Sequence, residues 1–316
     1  MAAIRAPPGD GRAPPIVAAT RSGSALGFGD DVLIGVPYST VGGSGSGQAV
    51  LFRGPLSGNS YPSGADASFV GPSSSAHAGW SVAGAGDVNG DSVLDLLIGS
   101  PSVGAGEVAL VYGPFTGTRY LNNPNVVFEG EVFGDLTGAA VAGGADLDAD
   151  GYADVLIGAP NDRTGAIDQY MGAVYLARTP LPGCVDLTLM DYKVVGDAQH
   201  APVALGDDDD AACGYGGLGD DDDDDDLSDD DDDDDDAAEP GDYAGRAVDF
   251  GGDVDNDGLP DLLVGAWNNA RVGPAGGAVY VISGASVPAQ TGVDVSCPPL
   301  GDDDDDFAPD DDDDSG

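Results

Sequence analysis

Three stretches of the chain place oxygen-bearing side chains at alternate positions, each directly before an apolar run. They are Asp146, Asp148, Asp150 and Asp154 in "DLDADGYADVLIGA", Asp253, Asp255, Asp257 and Asp261 in "DVDNDGLPDLLVGA", and Asp87, Asn89, Asp91 and Asp95 in "DVNGDSVLDLLIGS". Carboxylates packed this densely repel one another and resist leaving water. Alternate side chains in a tight loop can all turn toward one centre. An all-oxygen shell of this kind suits a hard cation, and its irregular geometry favours Ca2+ over Mg2+. Gly151 and Gly258, sixth in their loops, permit the positive φ that brings the chain around. The carbonyl of the seventh residue (Val93, Tyr152 or Leu259) can add another oxygen, and the last aspartate closes the shell and opens the strand. In the loop at Asp87 a serine, Ser92, replaces the glycine, with Gly90 just before it. The loop is too short for an EF-hand, and no terminal Glu closes it. About three Ca2+ sites are expected; the alternative is a set of solvated acidic turns.

These loops sit inside a longer repeat. Ser75–Pro101, Gly134–Pro160 and Gly241–Trp267 align without a gap, and a shorter copy, Ala25–Pro37, has lost the acidic loop and keeps only Asp31. Each copy continues to a glycine and an apolar run ("GQAVLF", "GEVALVY", "GAVYLA", "GAVYVIS"), and three are preceded by another short apolar stretch ("ASFVG", "NVVFEG", "YKVVG"). A glycine recurs at Gly35, Gly99, Gly158 and Gly265. Its spacing is about 60 residues once a segment near 198–240 is set aside. Four short strands per unit at that period predict an all-β fold, a β-propeller of four-stranded blades. A lone sheet cannot bury both faces, so neighbouring blades must stack. Four repeats are recognisable, which suits an open array or part of a larger ring.

Composition supports this. The 316 residues are 41% hydrophobic, with 52 glycines and 22 prolines spread along the chain, a pattern of short strands and turns. The net charge of −47 repels nucleic acid and anionic membranes and attracts cations. About half of the acid lies in runs such as Asp220–Asp226, Asp229–Asp236 and Asp310–Asp314, which self-repel and are expected to be disordered. Lys193 is the only lysine. Cys184, Cys213 and Cys297 allow one disulfide of undetermined pairing and define no zinc site. No apolar run is long enough to span a membrane, and the first residues lack the apolar core of a secretory signal. "GYGGLG" at Gly214–Gly219 follows no strand and is read as chance. No nucleophile–base or metalloprotease signature is present, so the reading is non-catalytic. His77, Trp80 and Trp267 are assigned to packing or, for the tryptophans, to a sugar-stacking surface.

D-x-D-x-D-G-x-x-D followed by an apolar run and Gly-Ala-Pro resembles the FG-GAP repeat of integrin α-subunit propellers and their bacterial relatives. Ile157–Pro160 carries the second half of that name, while "GFG" at Gly27–Gly29 and "VFGD" at Val132–Asp135 resemble the first. The resemblance covers roughly residues 22–284 outside the insertion. It implies a seven-bladed, Ca2+-loaded propeller acting outside the cell or at its surface in recognition or adhesion. Expected partners are a protein or carbohydrate ligand, with self-association if the ring is incomplete. The rival readings are an accessory domain of a secreted hydrolase or lyase, or a cation-buffering structural protein. The expected division is a Pro-rich segment (1–21), blades at 22–64, 65–122, 123–190 and 191–290, and an acidic tail (291–316).

Overall fold

The computed structural model describes residues 3–4, 20–22, 31–56, 59–163, 170–190, 192–196, 241–268 and 276–287. The expected acidic insertion and acidic tail lie outside these residues, as does "GFG" at Gly27–Gly29. The described chain is all-β, a β-propeller of successive blades, and no sheet closes into a barrel.

The first blade is built from β2 (Thr20–Ser22), β3 (Asp31–Val36), β4 (Gln48–Phe52) and β6 (Ala67–Val70). The short β1 (Ala3–Ile4) pairs with β5 (Asn59–Ser60) beside it. The second blade is β7 (Ser81–Gly86), β8 (Asp95–Ser100), β9 (Glu107–Val111) and β11 (Val126–Glu129). The third is β12 (Ala140–Ala145), β13 (Asp154–Ala159), β14 (Ala173–Ala177) and β16 (Lys193–Val195). The fourth shows β17 (Ala244–Gly252), β18 (Asp261–Ala266) and β19 (Ala278–Ile282).

Two features differ from the sequence-based division. The apolar stretches expected to open the second, third and fourth blades instead close the blade before them: β6 pairs with β4, β11 with β9, and β16 with β14. In addition, β10 (Gly117–Tyr120) leaves the second blade and pairs in parallel with β6, while β15 (Cys184–Asp186) leaves the third and pairs in parallel with β11. Each is a fifth strand on the outer edge of the preceding sheet, and it ties neighbouring blades together.

The central strands of the second and third blades are apolar on both faces because each serves two seams. Leu96 and Ile98 pack with Leu33, Leu51 and Phe69 of the first blade, while Leu97 joins Val155, Ile157 and Tyr175 of the third. One blade further on, Leu156 turns the other way, to Leu262 and Val264 of the fourth. Alternation along a strand makes this division automatic.

The recurring glycine has a steric cause at these seams. A Cβ on Gly35, Gly99 or Gly158 would lie 1.9, 2.1 and 2.1 Å from the carbonyl oxygens of Gly79, Gly138 and Gly245 in the next blade. Gly265 of the fourth blade faces no such oxygen; its nearest neighbour would be Ala247 Cβ at 3.3 Å. The same face of the fourth blade is open to solvent. Val279 and Val281 are 67% and 55% exposed, where their counterparts Val174 and Leu176 are 0% and 2%.

Candidate metal centres

Each acidic loop joins the first two strands of its blade and is organised by its own carboxylates. The first aspartate accepts from the N–H groups of the fifth and sixth residues. Asp146 takes those of Asp150 and Gly151 at 3.1 and 2.9 Å, and Asp253 those of Asp257 and Gly258 at 2.9 and 3.0 Å. The third residue accepts from the fifth N–H as well: Asp148 from Asp150 (3.3 Å), Asp255 from Asp257 (3.1 Å) and Asn89 from Asp91 (2.9 Å). The fifth accepts from the seventh, with Tyr152, Leu259 and Val93 donating to Asp150, Asp257 and Asp91 at 2.9, 2.8 and 2.8 Å. The loop at Asp87 keeps this frame, with Ser92 N–H donating to Asp87 at 2.8 Å.

The frame requires left-handed backbone at two positions. Gly151 and Gly258 have φ of 96° and 95°, as their sequence position suggests, and Ser92 is held at 65° in the same place. The fourth position is left-handed too: Gly90 at 79°, Ala149 at 59° and Asn256 at 66°. A non-glycine residue there costs about 1 kcal/mol. Ser92→Gly is therefore expected to raise stability by about 0.5–1 kcal/mol, read from urea unfolding; no gain would mean the serine side chain compensates.

The last aspartate is buried and ties loop to sheet. Asp154 Oδ2 accepts from Leu147 N–H (2.8 Å) and Oδ1 from Thr179 N–H (3.2 Å). Asp95 does the same with Val88 and Gly113, and Asp261 with Val254 and Gly284. In the first blade, where the acidic loop is lost, Asp31 keeps one of these bonds, from Gly54 N–H (2.8 Å). Its Oδ2 is buried and has no hydrogen-bond partner among the described residues.

Two carboxylate clusters result. In each of Asp146/Asp148/Asp154 and Asp253/Asp255/Asp261, one oxygen per residue lies within 4.8 Å of the others. The donor set is entirely carboxylate oxygen, which fits a hard divalent cation. Among the described residues the loop at Asp87, with Asn89 at its third position, forms no such cluster. Asp150 and Asp257 stand beside the clusters. Hydrogen bonds from Leu259 N–H and Ser283 hydroxyl hold the Asp257 carboxyl below its ordinary range. Arg178 Nε lies 3.5 Å from Asp148 Oδ2, a contact that sequence reasoning had no signal for.

Without a cation two of the buried closing aspartates, Asp154 and Asp95, resist ionisation. Burial pushes Asp154 up to about 7 against bonds from Leu147 and Thr179 that lower it, and Asp148 and Asp150 raise it further. Burial likewise pushes Asp95 up to about 6. A carboxyl raised in the folded state stabilises fully below its unfolded value near 3.8, and that contribution is lost as pH rises through 6 to 7. Ion-free protein should therefore melt lower at pH 8 than at pH 5. Ca2+ should reverse the trend, because it binds the ionised form. Identical pH slopes with and without Ca2+ would contradict the assignment.

The opposite end of the blades carries aromatic clusters. Tyr38, His77 and Trp80 meet between the first two blades, with ring centroids 5.2 to 6.5 Å apart. His77 Nδ1 sits 2.8 Å from Ser102 Oγ. Between the third and fourth blades Tyr243 stacks on Tyr170 at 5.4 Å and meets Trp267 at 5.3 Å, and Trp267 is 53% exposed.

Fold and loops together define a repeat protein whose stacked blades carry acidic loops at equivalent turns. A match to the FG-GAP repeat covers residues 78–111 and 137–176, the second and third blades. These two blades thus carry FG-GAP repeats. It is 31% identical over 151 residues to integrin alpha-3 of Cricetulus griseus, covering 44% of this chain and 14% of that protein. It is 36% identical over 85 residues to integrin alpha-7 of Rattus norvegicus (27% and 7%), and 26% identical over 246 residues to integrin alpha-5 of Xenopus laevis (75% and 18%). The chain thus spans less than a fifth of the length of these relatives.

Proposed function

We propose that the chain is a Ca2+-binding recognition or adhesion module that acts without catalysis, outside the cell or at its surface. The observation that carries this reading is the pair of carboxylate clusters at equivalent turns of successive blades in an FG-GAP propeller similar to integrin α-subunits. Asp146, Asp148 and Asp154 would hold one ion, and Asp253, Asp255 and Asp261 another, with Asp150 and Asp257 completing each loop. Asp87, Asn89, Asp91 and Asp95 would form a weaker third site. Bound Ca2+ neutralises the cluster and fixes the turn; the ligand meets the opposite end, where exposed Trp267 stands against the half-buried Tyr243 and offers aromatic surface to protein or carbohydrate. Cys184 is disulfide-bonded, which suits an oxidising compartment. No helix of the described residues is long and apolar enough to cross a membrane.

The test is retention of cells on a surface coated with the chain, in Ca2+ and in chelator. Retention that needs Ca2+ and falls several-fold with Trp267→Ala is the expected result. Equal retention on an uncoated surface would refute the adhesive reading.

A further inference from the structure

The two carboxylate clusters share a frame but differ in the residue that follows the third strand of their sheet. After β14 it is Arg178, and after β19 it is Ser283. Arg178 is 7% exposed, and its Nε approaches Asp148 Oδ2, a member of the third-blade cluster, at 3.5 Å. In the fourth blade the Ser283 hydroxyl donates to Asp257 Oδ2 at 2.9 Å. Among the described residues no Lys, Arg or His lies within ion-pair distance of Asp253, Asp255 or Asp261. One position of the repeat therefore sets a permanent cation against a member of one cluster, and a neutral hydroxyl against Asp257, which stands beside the other.

We infer that Arg178 is an internal counter-ion that makes the two centres unequal, an inference resting on the reading of both clusters as Ca2+ sites. A guanidinium stays charged at every relevant pH. With no metal bound, it attracts Asp148 and offsets part of the repulsion within the cluster. With metal bound, it is a like charge close to the ion, and because Asp148 is 35% exposed, water screens part of the repulsion. The third-blade centre should then hold Ca2+ more weakly than the fourth, and should need it less to stay folded. Arg178 acts here as a positioning residue on Asp148, not as a ligand.

The experiment uses the full chain with one centre removed. Asp257→Ala leaves the third-blade centre, and Asp150→Ala leaves the fourth. Adding Arg178→Gln to the first should tighten Ca2+ binding about threefold to fivefold in calorimetric titration. The same change should lower the melting temperature in chelator. Adding Ser283→Arg to the second should weaken Ca2+ binding by a similar factor. A purely structural Arg178 would give the same loss of stability with and without Ca2+ and no gain in affinity, and that result overturns the inference. If Arg178→Gln does not fold, the Ser283→Arg arm decides: unchanged affinity there overturns it too. Absence of tight Ca2+ in both single-centre parents would refute the metal reading itself, and this inference with it.

Discussion

Gly158→Ala should lose about 3 kcal/mol of stability or more, while Gly265→Ala should change it by less than about 1 kcal/mol. Both glycines occupy the same place in the repeat. The difference is what each faces. A methyl group on Gly158 would meet the Gly245 carbonyl of the fourth blade at 2.1 Å, and that oxygen belongs to backbone that cannot rotate away. The clash would push the third and fourth blades apart and open the seam of Leu156, Val174 and Leu176 against Leu262 and Val264. Gly265 has only Ala247 Cβ at 3.3 Å, on a face already open to solvent. Urea unfolding of the two variants checks this. Equal losses would show that the glycine serves its own strand and not the seam.

Chelation should lower the melting temperature by ten degrees or more. An ion at a thousandfold excess over its dissociation constant adds on the order of 4 kcal/mol per site by mass action. Two such sites in a chain of this size correspond to a shift well above measurement error. The physical cause is local. Asp154 and Asp261 are 0% and 1% exposed, and each anchors its loop to the end of the third strand. Unneutralised neighbours beside such a buried carboxylate strain that anchor. Ca2+ should restore the melting temperature better than Mg2+, whose octahedral demand fits an irregular loop poorly. A melting curve indifferent to chelator would mean that the hydrogen-bonded frame alone holds the loops.

Much of this architecture was legible in the chain because it rests on short-range rules. Alternate aspartates with a glycine at the sixth place specify the loop frame. "VLIGA" and its relatives specify strands buried on both faces, and the recurring glycine marks the seams. What stayed hidden depends on pairing at a distance. The strand "GTRY" is mostly exposed and lacks an apolar face, so nothing in its pattern marks β10, and its partner lies a blade away. "CVD" is too short to show periodicity. The stretches "ASFVG", "NVVFEG" and "YKVVG" read correctly as strands, but which sheet they join is a question of partner, not propensity. The left-handed turn at Ala149 and Asn256 was missed because neither residue is the glycine that usually signals one. Arg178 was missed because it lies far in sequence from Asp148 and reaches it only through the sheet.

The central claim is that Asp253, Asp255, Asp257 and Asp261, and their counterparts from Asp146 to Asp154, gather around a cation. Calorimetric Ca2+ titration of Asp257→Ala, Asp150→Ala and the double variant tests it most directly, on a background in which residues 198–240 and 301–316 are replaced by neutral linkers. The centres lie in different blades, so their losses should add. Each single change should remove about one tight equivalent and the pair about two. If Asp257→Ala binds as many tight ions as its parent, the fourth-blade loop is a solvated turn and the account of both centres is wrong.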